Sequence, residues 1–255
     1  MRSDGKLTPE QLRQYDDEGY VILEDFFTPA EIDPLREHID VLDEEQNREL
    51  LAQGGSAFVQ IPNQIVFTAN INFRDPLIQA FTAQPKLVDL TTQLLGPDVR
   101  LYWDQSVYKR PEAKKDFPWH QDNGYIPTDP VHYVTCWIAL EDATVQNGCI
   151  WIQPRTHKQG VVEHRKTPIG YQCYFGDDPG VPVELRKGSM AVFQSTLFHR
   201  SGPNLSSGMR KAYIAQYSVE GARHAITGQV FDNGPLIARG GKPAYSGFYR
   251  KVATM

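Results

Sequence analysis

A histidine and an aspartate that stand two residues apart, followed much later by another histidine, constrain this sequence more than any other feature. His120 and Asp122 lie in the segment Trp119-His120-Gln121-Asp122-Asn123-Gly124-Tyr125, and on an extended strand both side chains would point to one face. His199 follows a second apolar stretch, Met190 to Phe193. Two histidines and a carboxylate on one face of an octahedral Fe(II) leave three positions open for a co-substrate and dioxygen. The spacing therefore predicts one metal ion held by His120, Asp122 and His199.

An arginine beyond the distal histidine adds a second candidate. Arg210 lies eleven residues after His199, where its planar guanidinium could pair bidentately with a carboxylate on a molecule bound at the metal. We expect the other histidines to occupy the surface or to make structural hydrogen bonds. They are His38, His132, His157, His164 and His224.

Together these residues resemble the phytanoyl-CoA dioxygenase family of Fe(II)- and 2-oxoglutarate-dependent oxygenases. The resemblance covers most of the chain, because four further segments also match the family. These segments are Gly19-Tyr20-Val21-Ile22, Asn147-Gly148-Cys149-Ile150-Trp151, Pro154-Arg155-Thr156-His157-Lys158 and Ser201-Gly202-Pro203-Asn204. The resemblance implies Fe(II), 2-oxoglutarate and O2 as cofactors, and a double-stranded β-helix with an N-terminal helical region as the fold.

The same resemblance implies roles for residues around the metal. It places Arg210 and the hydroxyl of Ser201 at the distal carboxylate of 2-oxoglutarate. In similar enzymes a tryptophan that follows the His-x-Asp strand contacts the co-substrate, and Trp137 lies at about that separation along the sequence. Packing in the core would explain Trp137 nearly as well. Gln105 and Lys109 could reach the co-substrate or the substrate, depending on β-bulges that a sequence does not reveal.

The substrate is expected to be a small molecule. The candidates for its binding site are Asn123, Tyr125 and Tyr102, together with Lys109 and the aperiodic segment Gly54 to Asn72. Their mixed polar and aromatic character fits many metabolites and natural products. No cluster of Lys and Arg favours the phosphates of an acyl-CoA.

The reaction implied by the resemblance is hydroxylation of an unactivated C–H bond, with release of succinate and CO2. Because Asp122 fills the position that a halide takes in related halogenases, a halogenated product is not expected. Two alternatives stay open. A cupin-type metal hydrolase or isomerase would use the same triad without needing Arg210 and Ser201, and a catalytically silent small-ligand binding domain would keep the fold without turnover.

Cap signals and periodicity predict a mainly β protein with a helical N-terminal region. Thr8-Pro9-Glu10-Gln11 and Thr28-Pro29-Ala30-Glu31 each predict a helix start. Asp75-Pro76 and Gln84-Pro85 predict two more. From Val99 the apolar period changes from 3.6 to 2, which predicts antiparallel strands in two sheets, a cupin-like jelly roll.

The jelly roll is expected to form a single domain of residues 1–255. Within it we expect a helical support region (1–97), a jelly-roll core (98–220) and a C-terminal extension (221–255). The predicted strands are Tyr20 to Phe27, Val99 to Val107 with its odd-numbered residues on one face, Trp119 to Asp122, His132 to Leu140, Cys149 to Ile152, Val183 to Leu185, Met190 to Phe193 and Lys211 to Val219. Asn147-Gly148 predicts a hairpin turn, and Gln53 to Asn72 is expected to be rich in loops.

Charge and cysteine content limit the binding partners and the cellular compartment that we expect for this protein. With 26 basic and 31 acidic residues the formal charge is −5, and no basic cluster exceeds Lys114-Lys115, so no nucleic-acid partner is expected. The three cysteines lack C-x-x-C spacing, and no apolar run has the length of a signal peptide or a membrane span. We therefore expect a cytoplasmic monomer or homodimer without a membrane partner.

Overall fold

The computed structural model describes residues 4–56 and 59–250. Its α-helices are α1 (Pro9–Glu18), α2 (Pro29–Ala52), α3 (Pro76–Thr82) and α4 (Pro85–Leu95). Its strands are β1 (Tyr20–Leu23), β2 (Ile65–Ala69), β3 (Val99–Lys109), β4 (Phe117–His120), β5 (Thr128–Asp129), β6 (Val134–Ala139), β7 (Ile150–Gln153), β8 (Arg165–Thr167), β9 (Gly170–Gln172), β10 (Val181–Val183), β11 (Met190–Gln194), β12 (Phe198–Ser201), β13 (Arg210–Val219), β14 (Arg223–His224), β15 (Leu236–Arg239) and β16 (Lys242–Pro243). The predicted fold class, mainly β with a helical N-terminal region, is confirmed.

Most strands belong to two antiparallel sheets. The larger sheet has the order β1-β11-β6-β13-β3-β15-β16, and β2 joins it by pairing with β3. The smaller sheet has the order β10-β7-β12-β4. One apolar cluster combines side chains from both sheets, while a second combines the larger sheet with the helices. The helices therefore cover one face of the larger sheet, and the smaller sheet covers the other, as in a jelly roll.

Strand β6 shows how one strand serves both apolar clusters. Cys136 and Ile138 pack with the helices, whereas Trp137 and Ala139 pack between the sheets. Successive side chains of a strand point to opposite faces, so a strand covered on both sides is a nearly continuous apolar run. Thr135 is a polar exception on the face between the sheets, where it lines a cavity.

A β-bulge at Tyr102 decides which residues of β3 face the smaller sheet. The register with β13 skips Tyr102, because Leu101 and Trp103 lie opposite successive residues of that strand. Leu101 consequently packs with the helices, while Trp103 and Gln105 line cavities between the sheets. The single face predicted from Val99 to Val107 is therefore wrong, because the bulge reverses the alternation halfway along the strand.

The N-terminal helices begin where their caps predict. In α1 the hydroxyl of Thr8 accepts a hydrogen bond from the backbone N–H of Gln11, and the Gln11 side chain accepts one from the backbone N–H of Thr8. This reciprocal capping box satisfies two N–H groups that the helix itself leaves without acceptors. All four helices carry proline as their first residue, where its missing N–H costs nothing.

The larger sheet takes strands from more of the chain than predicted. Strands β1 and β2 lie within residues 1–97, and β15 and β16 lie within 221–255, yet all four join this sheet. The larger sheet therefore reaches beyond residues 98–220, while the single domain and its division into three regions stay predictions. The strand at β1 is predicted by the sequence, but its place in this sheet is not. For β2, β15 and β16 the physical reason is that short strands need only pairing and a covered face, which sequence periodicity over two to five residues does not reveal.

Two predicted connections also differ. The segment from Gln53 to Asn72 contains β2 and is not only loop; its residues 57 and 58 lie outside the described part of the chain. Asn147-Gly148 lies in a turn that leads from β6 in the larger sheet to β7 in the smaller sheet. This turn therefore connects the two sheets and does not close a hairpin. Gly148 nevertheless has the positive φ of +89° that such a turn sequence suggests.

None of the helices in the described ranges is long and apolar enough to cross a membrane. The cysteines Cys136, Cys149 and Cys173 are all free thiols. The expected cytoplasmic location and the expected monomer or homodimer remain predictions.

A buried ion pair ties helix α2 to the end of β3. Nη2 of Arg110 lies 2.6 Å from Oδ2 of Asp43, whose side chain is 1% exposed. Burial raises the pKa of the Asp43 carboxyl to about 6, even though the guanidinium opposes this shift. Within the described residues the other carboxylate oxygen has no hydrogen-bond partner, so Asp43 depends on Arg110 for its charge to be tolerated.

We expect Arg110→Met to lower the free energy of unfolding by about 3 to 5 kcal/mol, because it leaves a buried carboxylate without its cation. Urea unfolding at neutral pH measures this loss. Adding Asp43→Leu should recover most of the stability, since the stranded charge is then gone. An equal loss in the single and double variants would contradict this account of the pair.

Candidate metal centre and its cavities

The structure brings His120, Asp122 and His199 together between the two sheets. His120 ends β4 and lies directly opposite His199 on β12. Oδ1 of Asp122 lies 3.9 Å from Nε2 of His120 and 3.4 Å from Nε2 of His199. One ligand atom from each residue lies within 4.8 Å of the others, which is the arrangement of a site that can hold one metal ion.

Asp122 reaches this position through a turn. Strand β4 ends at His120, and Asp122 begins a single turn of 3-10 helix, so the predicted strand Trp119 to Asp122 extends too far. Gln121 fixes the turn, because its buried side chain donates hydrogen bonds to two backbone carbonyls at 2.7 and 2.6 Å. Its backbone N–H donates to Nε2 of His164 at 3.0 Å, which gives that histidine a structural hydrogen bond.

Backbone carbonyls orient both imidazoles. Nδ1 of His120 lies 2.8 Å from the carbonyl oxygen of Pro118, and Nδ1 of His199 lies 3.0 Å from that of Leu197. A carbonyl oxygen only accepts, so each Nδ1 carries a proton, and Nε2 is the nitrogen of each ring that remains for a metal ion. Both Nε2 atoms face Asp122. A hydrogen bond from the outer nitrogen in this way is typical of histidines that ligate metals.

The ionisation of the cluster also suits a metal. Burial, followed by repulsion from His199, lowers the pKa of His120 to about 3, so its imidazole is neutral at neutral pH. Burial raises the pKa of the Asp122 carboxyl, but His199, His120 and the hydrogen bond from Thr135 together outweigh burial and keep this pKa below its ordinary value. A neutral imidazole and an ionised carboxylate are the forms in which these groups bind metal ions.

Two residues that the sequence did not single out hold the Asp122 carboxylate. Its Oδ2 accepts hydrogen bonds from Oγ1 of Thr135 at 2.7 Å and from Nε2 of Gln216 at 2.9 Å. Gln216 also donates to the Thr135 hydroxyl at 3.1 Å. Oδ1 is thereby turned towards the histidines. The available signals were Thr135 as the polar residue of the otherwise apolar strand β6, and Gln216 after the apolar run from Ala212 to Ala215 in β13.

Arg210 is 1% exposed and has no carboxylate partner among the described residues. Its Nε donates to the carbonyl of Gly148 at 3.2 Å and its Nη1 to the carbonyl of Val107 at 2.8 Å. The guanidinium lies over the ring of Trp137, 5.3 Å from the ring centroid, and burial lowers its pKa to about 10. A buried cation without a counter-charge is costly, so this site fits an anionic ligand.

Two cavities share the metal-site residues. The smaller, of about 60 Å³, extends from the three candidate ligands to Ser201, Trp137 and Arg210. The larger, of about 450 Å³, is lined mainly by aromatic side chains. The side chains common to both linings are Phe67, Gln105, Phe117, His120 and Asp122. A molecule in either cavity would therefore contact the metal site.

The predicted substrate contacts divide into two groups. Tyr102 and Tyr125 line the larger cavity, and Gln105 lines both cavities. Asn123 and Lys109 line neither. Asn123 is buried and donates to a threonine hydroxyl and a backbone carbonyl, and Lys109 turns towards the end of β12. The structure therefore does not place these two side chains where a substrate would meet the metal.

The fold and this cluster define a jelly-roll protein with a two-histidine, one-carboxylate metal site. A model of the phytanoyl-CoA dioxygenase (PhyH) family matches residues 15–212. Since the match covers most of the sequence, the chain belongs to the phytanoyl-CoA dioxygenase family, and the resemblance found in the sequence is confirmed.

Relatives and solved structures agree with this assignment. A phytanoyl-CoA dioxygenase of Arabidopsis thaliana is 29% identical over 250 residues, which cover 82% of this chain and 88% of the relative. The carbocyclase SnoK from nogalamycin biosynthesis has a TM-score of 0.68 at 21% identity and covers 88% of this chain and 89% of its own. The epimerase SnoN, solved with Fe3+, alpha ketoglutarate and nogalamycin RO, has a TM-score of 0.69 at 20% identity and covers 93% and 95%. At these identities the solved structures establish the fold.

Removing the partners of the Asp122 carboxylate should weaken metal binding. We expect Thr135→Val and Gln216→Leu each to lower the affinity for a divalent metal about 10- to 100-fold, as losses of such outer contacts do. Competition with a chromogenic chelator measures this affinity. Thr91→Val is a matched control, because the Thr91 hydroxyl donates to the carbonyls of Leu87 and Val88 in its own helix, α4. Unchanged affinity in both site variants would contradict the assigned role.

Proposed function

We propose that this protein is an Fe(II)- and 2-oxoglutarate-dependent dioxygenase that hydroxylates an unactivated C–H bond of a small molecule and releases succinate and CO2. The observation that carries the proposal is a cavity that joins a two-histidine, one-carboxylate cluster to a buried arginine without a carboxylate partner in the described part of the chain. Family membership and the ligands of the neighbour SnoN support the same cofactors.

The donor set of the cluster fits Fe(II). We assign Nε2 of His120, Nε2 of His199 and Oδ1 of Asp122 as its ligands, the set typical of iron oxygenases that keep open positions for other molecules. The hydrogen bonds from Thr135 and Gln216 hold the carboxylate so that one oxygen serves the metal. This anchoring favours a fixed ligand geometry over one that each bound molecule could rearrange.

The lining of the smaller cavity suits the two carboxylates of 2-oxoglutarate. We assign Arg210 and Ser201 to its distal carboxylate and the Trp137 ring to the wall beside it, since all three line this cavity together with the metal cluster. The two backbone carbonyls that Arg210 contacts fix the guanidinium before any ligand binds. A preorganised cation loses little freedom on binding a carboxylate, which favours affinity.

Bound iron, with 2-oxoglutarate and dioxygen, supplies an oxidant that can take hydrogen from an unactivated C–H bond. The chain contributes orientation and the exclusion of water. Side chains from both sheets enclose the metal ligands, and Gln105 lies at the boundary of the two cavities, where it can orient a substrate group by a hydrogen bond. His120, Asp122 and His199 are the catalytic residues in this proposal.

The lining of the larger cavity supports a substrate class. Its aromatic residues are Phe67, Tyr102, Trp103, Phe117, Tyr125, Tyr133 and Tyr171, and its amides are Gln105 and Gln216. Its described lining contains no Lys or Arg to meet a phosphate. Aromatic faces pack well against flat rings. We therefore infer an uncharged, ring-containing small molecule and not the phosphate-bearing part of an acyl-CoA.

Hydroxylation is one of several outcomes that this type of site can produce. SnoK is a carbocyclase and SnoN an epimerase, so related folds also close rings and invert centres. We favour hydroxylation because it needs no protein group beyond those already assigned. Halogenation is disfavoured, because the carboxylate of Asp122 takes the position that a halide would need.

Arg210→Leu should raise the KM for 2-oxoglutarate about thirtyfold or more, since loss of a buried charged partner costs about 2 to 5 kcal/mol. Succinate release from 2-oxoglutarate in air, with Fe(II) and ascorbate, provides the assay. Arg165→Leu removes an exposed arginine that stacks on Phe175 and should leave the KM unchanged. An unaltered KM in Arg210→Leu would remove the arginine from the co-substrate site, and absence of succinate from the wild-type protein would contradict the proposed function.

A further inference from the structure

Arg210 shares its buried site with a second cation. Lys109 lies directly opposite Arg210 in the pairing of β3 with β13, and each of the two residues is 1% exposed. Neither has a carboxylate within ion-pair distance among the residues that the structure describes. Placing two cations side by side in the interior is costly. The pair therefore requires an explanation beyond packing.

The ammonium group of Lys109 is directed at the end of β12. Its Nζ donates to the hydroxyl oxygen of Ser201 at 3.0 Å, to the carbonyl of Ser201 at 3.4 Å and to the carbonyl of Gly202 at shorter range. An ammonium group only donates, so the Ser201 hydroxyl must accept this bond. Its own proton is then available for an acceptor in the smaller cavity, which Ser201 lines and Lys109 does not.

Gly148 lets both cations approach. A side chain at this position would begin 2.7 Å from the carbonyl oxygen of Gly202 and 3.0 Å from Cδ of Lys109. The Gly148 carbonyl in turn accepts the hydrogen bond from Nε of Arg210. One glycine thus leaves space for the lysine stem and holds the arginine, which makes Lys109 and Arg210 parts of one assembly.

We propose that Lys109 is a positioning residue for the co-substrate: by holding the Ser201 hydroxyl oxygen, it directs the hydroxyl proton towards the distal carboxylate of 2-oxoglutarate. This inference rests on the proposed function. In its protonated form Lys109 also adds positive charge behind Arg210. Burial, followed by repulsion from Arg210, lowers the pKa of Lys109 to about 7. A bound carboxylate would relieve that repulsion. The site is therefore built to distinguish an acid with a second carboxylate from one without it.

A purely structural role would leave a different signature. If Lys109 only satisfied the carbonyls of Ser201 and Gly202, its loss would lower stability and weaken all ligands of the site alike. If it acts through the Ser201 hydroxyl, its loss should affect only ligands that carry the distal carboxylate. 2-Oxoglutarate and 2-oxopentanoate provide this comparison, because they have the same carbon chain and differ at the distal carboxylate.

The test measures equilibrium binding to protein loaded with Zn(II), by calorimetry and without turnover. We expect Lys109→Met to weaken 2-oxoglutarate about tenfold, as loss of a charge-assisted contact would, and to leave 2-oxopentanoate within about twofold. Lys114→Met is the matched control, since this exposed lysine donates to the nearby Asn204 carbonyl, and it should change neither ligand. Lys109→Gln, which keeps a donor for the carbonyls, replaces the Met variant if that variant does not fold.

A double-variant cycle with Ser201→Ala tests whether Lys109 acts through the hydroxyl. The double variant should lose less 2-oxoglutarate affinity than the product of the two single losses, because each single variant removes the same hydrogen bond between Lys109 and Ser201. Unchanged 2-oxoglutarate affinity in the Lys109 variants, equal weakening of both acids, or independent effects in the cycle would each overturn the inference. None of these results would contradict the proposed function, which fails only if the wild-type protein does not turn over 2-oxoglutarate.

Discussion

The site depends on one carboxylate that is held from both sheets of the jelly roll. Asp122 presents Oδ1 to His120 and His199, which lie on strands of the smaller sheet. Its Oδ2 accepts hydrogen bonds from Thr135 and Gln216, which lie on strands of the larger sheet. The metal ligands therefore keep their geometry only while the two sheets stay packed, so the apolar cluster between the sheets is also what orients the site.

The two cavities beside the metal site differ in the chemistry of their linings. Arg210 gives the smaller cavity a buried positive charge, which complements a carboxylate of a dicarboxylic acid. Aromatic rings dominate the lining of the larger cavity, which suits the uncharged substrate that we propose. His120 and Asp122 belong to both linings. In the proposed function, co-substrate and substrate therefore approach one metal ion from two different cavities.

Much of this site could be predicted from the sequence because its signals are local or belong to a family. The spacing of His120 and Asp122, and the arginine after the distal histidine, are of this kind. The β-bulge at Tyr102 could not be predicted, because it depends on the register with a strand more than a hundred residues away. For the same reason the roles of Thr135 and Gln216 could not be predicted, because these roles depend on hydrogen bonds to the Asp122 carboxylate.

The central claim is that this site couples 2-oxoglutarate to dioxygen at one metal ion. Mass spectrometry of succinate formed by the wild-type protein under ¹⁸O₂, with Fe(II) and 2-oxoglutarate, tests it without knowledge of the substrate. The account predicts succinate that carries one oxygen atom from the labelled gas, and none from a His199→Ala protein. Succinate without the label, or labelled succinate from the His199→Ala protein in equal amount, would contradict it.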